Sequence, residues 1–358
     1  MEMTVSSRLA KNLRGASNNF LDPDYNTRRV SEKLLTPQVS TVFSQMVMQR
    51  VKYQRLVNPG SEGRITSHIR KVAERVKASG VVLGIGDDCA IVRPRGAAED
   101  LLLTSDLLIE DVHFRQSTHR PEDIGWKTLA RGLSDIASMG GDPRWCVVSL
   151  AVSRDCDKSW IDRFYRGFLQ LARREGAALV GGDLARADHV VCDIMVCGTV
   201  PRGKALRRDG ARAGDAVYVS GQLGGSALGL SQSGAARRRH LRPEPRVTLG
   251  RFLRGRATAA MDLSDGLSLD LERLALASGL AAEITVPPRF RGATLEQALH
   301  GGEDYELLFC APASRRLPAE YQGLPLTKIG TMRKGRPGIV LLDGAPLAPL
   351  GYDHFRGV

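Results

Sequence analysis

Carboxylates gather beside glycines and hydroxyls in this chain. Asp87 and Asp88 follow Gly84-Ile85-Gly86, behind the apolar run Val81-Val82-Leu83. Glycines let the main chain approach a ligand closely. Two adjacent carboxylates at such a turn suit a hard cation that in turn grips phosphate. The pattern recurs at apparent strand-to-turn junctions. Thr104-Ser105-Asp106 follows Leu101–Leu103, Asp183 follows Gly181-Gly182, and Glu303-Asp304 follows Gly301-Gly302. Asp262 and Asp265 flank Leu263-Ser264 ahead of Gly266. Asp135 lies inside a long helical pattern, where a carboxylate has no capping work, and Arg131 one turn earlier is a candidate partner. Each of these carboxylates alone also reads as turn or cap chemistry. Gathered in one pocket, they repel one another unless a multivalent cation sits between them. Magnesium is the natural ion, because it takes oxygen ligands and bridges carboxylates to substrate phosphates.

The elements that must position these groups alternate. Ile65, Ile69, Val72 and Val76 fall on one helical face. Short apolar strands follow at Val81–Leu83 and Leu101–Leu103. Pro121 opens a long helix through Trp126, Leu129, Leu133, Ile136 and Met139, which Gly140-Gly141 ends. Trp145–Val152 reads as a strand, Trp160–Arg174 as a helix, and His189–Val200 as a strand. A second set begins near Asp215, with strands at Ala216–Val219, Met261–Leu263, Ala282–Val286, Tyr305–Cys310 and Ile339–Leu342. Helices start at Gly224 and Leu267. Strands and helices in alternation give an α/β (mixed α+β) class. The expected segments are an extension over 1–60, an N-terminal domain over 61–202 and a C-terminal domain over 203–358.

The chain has 358 residues, enough for two domains. Its 42% hydrophobic content and 38 glycines are those of a globular protein. No apolar run is long enough to span a bilayer, and Met1 to Asn18 lacks the apolar stretch of a secretory signal. The six cysteines form no CxxC pair, and the spacing of Cys192 and Cys197 is poor for zinc. They read as free thiols in a reducing cytoplasm. The net charge of +12 fits nucleic acid or small anionic substrates such as nucleotides. Aromatics at only 5% argue against a nucleic-acid reader. Arg237-Arg238-Arg239-His240 reads as a solvated loop or helix end. Residues 1–60 hold nine Lys or Arg against four Asp or Glu and no motif. They read as a partly ordered extension with some helical character over Leu34–Val51, or as the product of an upstream start codon.

From about Ser61 to His354 the chain resembles the thiamine-monophosphate kinase family of the aminoimidazole-ribotide-synthetase-like superfamily. The matching stretches, in family order, include GIGDDCA (84–90), TSDLLIEDVHF (104–114), WKTLARGLSDIASMGGDP (126–143), LVGGDLAR (179–186), GKALRRDGARAGD (203–215), HLRPEPR (240–246), MDLSDGL (261–267), GGEDYEL (301–307) and GYDHF (351–355). The resemblance implies a two-domain fold, with an N-terminal mixed-sheet domain that binds ATP and Mg2+ and a C-terminal α/β domain that completes the site. It implies transfer of the ATP γ-phosphoryl group to thiamine monophosphate, several Mg2+ ions, and a homodimer formed by the N-terminal domains. It makes Asp88, Thr104, Ser105, Asp106, Asp135, Asp183, Asp262 and Asp265 metal ligands. It makes Gly182, Asp183, Arg208 and Ser264 nucleotide contacts, and His113, Glu303 and Tyr352 contacts of the thiamine moiety. Two departures stand out: Leu184 replaces the usual Thr after the GGD motif, and Thr104-Ser105-Asp106 replaces Ser-Thr-Asp while keeping both hydroxyls.

Other readings fit less well. A selenophosphate synthetase needs a reactive Cys in an N-terminal Gly-rich segment. A hydrogenase-maturation relative ends in Cys, whereas this sequence ends Arg356-Gly357-Val358. Aminoimidazole-ribotide synthetase shares the fold but not the GYDHF ending. A basic nucleic-acid-binding protein remains the non-enzymatic alternative.

Overall fold

Helix α2 (Pro121–Ser138) is the pillar of the structure, a computed structural model that describes residues 62–76 and 78–355. Pro121 sets the first turn, and Glu122 and Asp123 there complement the helix dipole. Leu129, Leu133 and Ile136 are fully buried, but so are Thr128 and Ser134 on other faces. A helix buried all round belongs between layers. α2 packs on the first sheet and also on β8 (Ala259–Asp262) of the second.

The first sheet has the order β1-β2-β3-β6-β4-β5. Its strands are β1 (Val81–Leu83), β2 (Ala90–Val92), β3 (Glu99–Ile109), β4 (Asp142–Val152), β5 (Ala178–Arg186) and β6 (Val191–Pro201). Only β4 and β5 pair in parallel. One face, with Leu102, Leu108, Val148, Leu150, Ile194 and Val196, is buried under α2 and α3 (Lys158–Glu175). Asp157 caps α3 by accepting from the Trp160 N–H at 2.7 Å, and Gly176 closes it in the left-handed conformation. The opposite face leaves Leu107 49%, Trp145 47% and Met195 43% exposed among the described residues.

The second sheet runs β14-β13-β9-β12-β7-β10-β8, with β11 beside β12. Its other strands are β7 (Ala216–Ser220), β9 (Ala281–Ile284), β10 (Leu307–Ala311), β11 (Glu320–Tyr321), β12 (Leu324–Arg333), β13 (Val340–Leu342) and β14 (Ala345–Pro346). Only β13 and β9 are parallel. Among the described residues the remaining helices are α1 (Glu62–Ala73), α4 (Gly225–Gly229), α5 (Ala235–Leu241), α6 (Val247–Leu253), α7 (Leu267–Ala277) and α8 (Leu295–His300). The apolar core under the first sheet and those of the second sheet draw on separate stretches of chain, 89–200 and 206–340.

Several local expectations are corrected. Thr104-Ser105-Asp106 and Gly181-Gly182-Asp183 lie inside β3 and β5, not at strand ends. The glycines of β5 are tolerated because it is an edge strand. α1 buries none of its residues among those described, so its apolar stripe stays exposed. The basic run 237–240 belongs to α5, and Arg239 and His240 point inward rather than into solvent. All six cysteines are unpaired. The helical stretch expected at Leu34–Val51 lies outside the described residues.

The α2–α3 contact depends on glycine. A Cβ on Gly167 would sit 1.8 Å from the Glu122 carbonyl oxygen, and one on Gly125 would sit 2.0 Å from that of Phe164. Gly167→Ala must push two buried helices apart. It is expected to destabilise the protein by about 1–3 kcal/mol or more, read as a lower melting temperature and denaturation midpoint.

Candidate active site

A cavity of about 950 Å³ brings together residues from both sheets. Asp88 comes from the β1–β2 turn, Thr104 and Asp106 from β3, Asp135 from α2, and Arg208 from the β6–β7 connection. Asp262 ends β8, and Ser264 and Asp265 lie in the turn before α7. Strand alternation aims Thr104 and Asp106 at α2, while Ser105, at the cavity's border, faces the other side of the sheet beside Met195.

α2 supplies the order in this cluster. Arg131 donates to both oxygens of Asp106, at 2.9 and 2.6 Å. The candidate pair with Asp135 is therefore not formed, and Asp135 instead accepts from Thr104 Oγ1 at 2.5 Å. Ser134 donates to Asp262 at 2.6 Å, and Ser138 donates to Asp88 at 2.5 Å. Thus one helix touches three carboxylates carried by β3, β8 and the β1–β2 turn. The Arg208 guanidinium donates to Asp88 and lies 3.3 Å from Asp87. Arg273 of α7 pairs with Asp265 and Asp270.

The cluster is short of positive charge. Burial, then the Asp88 charge, pushes Asp262 up to about 8. The same two causes raise Asp87 to about 6 against the pull of Arg208. Burial, then Asp262 and Asp88, raises Asp135 well above the usual carboxylate range. A cation bound among these carboxylates would relieve the repulsion that keeps protons on them. The donors are oxygens only, and this suits Mg2+. Among the described residues no group of three or more Asp, Glu, His or Cys is arranged to hold one ion by itself. Mg2+ needs no such cage, because it binds through one or two carboxylates and completes its shell with water and phosphate oxygens.

His113, Glu303 and Tyr352 border the same cavity as Asp106. His113 Nδ1 accepts from the Ile109 N–H at 3.0 Å, and its ring centroid lies 5.2 Å from that of His354. Tyr352 is half-exposed, with its backbone N–H on the Asp265 carbonyl at 2.9 Å. Glu303 takes a left-handed backbone (φ 64°) and pairs with Lys127 at 2.8 Å.

Gly182 and Asp183 are not in this cavity. They line a separate hollow of about 530 Å³ along β5, with Tyr165 and Leu184. A Cβ on Gly182 would sit 2.0 Å from the Val148 carbonyl oxygen, so glycine is required there. The row Asp106, Ile194, Val148, Gly182 crosses three strand spacings, or about 14 Å at the usual separation. Asp183, paired with Ser149, faces away from α2.

The sequence reading gave no site role to Ser134, Ser138, Arg273, Lys127 and Tyr165, and it weighed Asp135 rather than Asp106 as a partner for Arg131. Ser134, Asp135 and Ser138 do carry a signal: three polar residues within one turn of the buried C-terminal half of the helix.

The fold and this cluster define a class. Residues 86–200 match the family described as AIR synthase related protein, N-terminal domain. The hydrogenase maturation protein HypE, solved in complex with ATP, shares the fold at a TM-score of 0.58 and 19% identity. More specific likeness is to thiamine-monophosphate kinases. That of Escherichia coli (strain K12) is 37% identical, over 81% of this chain and 97% of its own. That of Bacillus subtilis (strain 168) is also 37% identical, over 78% and 95%. The solved structure described as AaThiL complexed with AMPPCP and TMP has a TM-score of 0.74 at 35% identity, covering 82% of this chain and 97% of that one. The chain belongs to the thiamine-monophosphate kinase family.

Proposed function

We propose that this chain transfers the γ-phosphoryl group of ATP to thiamine monophosphate, giving thiamine diphosphate. The observation that carries this reading is the buried cluster of Asp88, Asp135 and Asp262 beside Arg131 and Arg208, in a chain of this family. A relative solved with an ATP analogue and TMP supports it. The acceptor is a phosphate monoester with a second pKa of about 6, already mostly dianionic at neutral pH. It needs no general base. The nearby histidines make poor ones: burial, then Arg131, holds His113 down at about 4, and burial, then Lys127, holds His240 at about 3.

The difficulty is bringing two anions together. Asp88, Thr104, Asp106, Asp135, Asp262 and Asp265 would hold Mg2+. When bound, Mg2+ supplies charge neutralisation between the two phosphates. Arg208 and Ser264 face the nucleotide, and the guanidinium offsets charge that develops on transfer. His113, Glu303 and Tyr352 hold the thiamine rings. The Tyr352 ring face contributes on the order of 1 kcal/mol toward the cationic ring. ADP release that depends on added thiamine monophosphate tests the activity. ATP turnover that ignores thiamine monophosphate overturns it.

The homodimer is part of this reading. Leu107, Trp145 and Met195 leave an apolar face on the first sheet exposed, as expected of a subunit interface. Ser105 and Asp183 lie on that face and so act on a site completed across the dimer. Asp106→Asn and Asp183→Asn are each expected to retain about 1% of the activity or less alone. Mixed, they should regain up to about a quarter of wild-type activity, because random pairing makes half of the dimers mixed, each with one intact site. No recovery after subunit exchange would place Asp183 and Asp106 in service of the same chain's site.

A further inference from the structure

Lys127 is a charged side chain without solvent. It lies on α2, is fully buried, and is not among the residues that line the cavity. Its Nζ donates to Glu303 Oε2 at 2.8 Å. Burying an ammonium is expensive unless it is paired, so the pair must be explained. A buried ion pair that serves only stability satisfies both carboxylate oxygens. Here the second oxygen, Glu303 Oε1, is buried and has no hydrogen-bond partner among the described residues, and Arg131 stands off at 3.7 Å with its other nitrogens on Asp106. Glu303 itself borders the cavity.

The backbone is held as tightly as the side chain. Glu303 sits at φ 64°, a region that a residue with a Cβ occupies only when its surroundings demand it. Its N–H donates to the Ser264 carbonyl at 2.7 Å, which ties it to the turn before α7. His240 Nδ1 lies 3.6 Å from Oε2 and 3.0 Å from Ser226 Oγ, so it closes the same side as Lys127. Both side-chain contacts on this side fall on Oε2, and Oε1 has only the Arg131 charge at 3.7 Å beside it.

We propose that Lys127 is a positioning residue for the acceptor: it fixes Glu303 so that Oε1 accepts a hydrogen bond from an N–H group of the bound substrate. This rests on the reading of the cavity as the thiamine monophosphate site. Because Lys127 already balances the Glu303 charge, Glu303 acts as a directed hydrogen-bond acceptor and not as a bare counter-charge for the ring. Lys127 touches no substrate atom, and its effect passes wholly through Glu303.

The test is a double-mutant cycle on the full-length protein with thiamine monophosphate as the probe. Lys127→Met keeps length and removes the charge, and Glu303→Gln keeps shape. Each single variant is expected to raise KM for thiamine monophosphate about 10-fold or more, while KM for ATP and kcat stay within about twofold. In the Glu303→Gln background, Lys127→Met should add less than a further twofold, because the group it positions is already gone. A loss of kcat with KM for thiamine monophosphate unchanged would overturn the proposal, as would effects that multiply in the double variant. Should a single variant fail to fold, the double variant, which leaves neither a buried ammonium nor a carboxylate unpaired, decides by comparison with wild type. KM for thiamine monophosphate raised about 10-fold with kcat within about twofold supports the proposal, and an unchanged KM overturns it. Wild-type protein that does not use thiamine monophosphate would sink the functional reading itself, whereas normal wild-type turnover with a multiplicative cycle would sink only the role of Lys127.

Discussion

Replacing Asp262 by Asn is expected to cut turnover about 10²–10³-fold, the range for loss of one preorganised electrostatic contact in an active site. The same change should raise the melting temperature of the metal-free protein. Asp262 is buried, accepts from Ser134, and lies beside the like charge of Asp88. Its carboxyl is raised to about 8, so the folded state holds a proton there that the unfolded chain gives up at about pH 4. At Asp262 the folded protein therefore binds more protons than the unfolded chain between about pH 4 and 8, and this contribution to stability falls as pH rises. His113, His119 and His240, held down at about 4, 4 and 3 by burial, act in the opposite sense below about pH 6.5. Asp87, raised to about 6, adds to the slope over its lower part. Saturating Mg2+ should flatten the slope, because the ion favours the ionised carboxylates. The Asp262→Asn change should remove much of it without metal. Melting curves from pH 4 to 9, with EDTA and with Mg2+, read all of this. Metal-free wild type and Asp262→Asn whose stabilities run parallel from pH 4 to 9 would contradict the account of the cluster.

The second large effect is at Asp106. Asp106→Asn keeps shape and loses the charge that Arg131 grips through two hydrogen bonds. Turnover should fall about 10²-fold or more, and the Mg2+ concentration for half-maximal rate should rise. The pH profile of the residual activity should match wild type, since no proton is abstracted by this group. Normal Mg2+ dependence with a shifted pH profile would make Asp106 a general base instead.

How much of this was legible in the sequence depends on how local the cause is. α2 was readable because Pro121, the apolar spacing and Gly140-Gly141 all lie within or beside the element. The GDD turn was readable for the same reason. Gly181-Gly182-Asp183 was misread as a turn, because glycine punctuates sequences far more often than it sits in an edge strand. β12 escaped notice because Pro325 and Gly330 interrupt its alternation, and the structure absorbs Gly330 in an irregular register against β7. Buried charge was the least legible. Lys127 and Glu303 are 176 residues apart, and Arg239 finds Glu306 67 residues away. Read one at a time, such residues look solvated, and only the tertiary fold supplies the partners. The placement of Asp183 away from Asp106 has the same origin: one motif resembles another in sequence, while the sheet sets them on opposite faces.

The measurement that tests the central claim most directly is phosphorus NMR of the protein incubated with ATP, Mg2+ and thiamine monophosphate. The account predicts that the thiamine monophosphate resonance is replaced by the two coupled resonances of thiamine diphosphate, with one ADP formed for each. Formation of AMP, release of inorganic phosphate alone, or ATP consumption with thiamine monophosphate unchanged would contradict direct phosphoryl transfer to this acceptor.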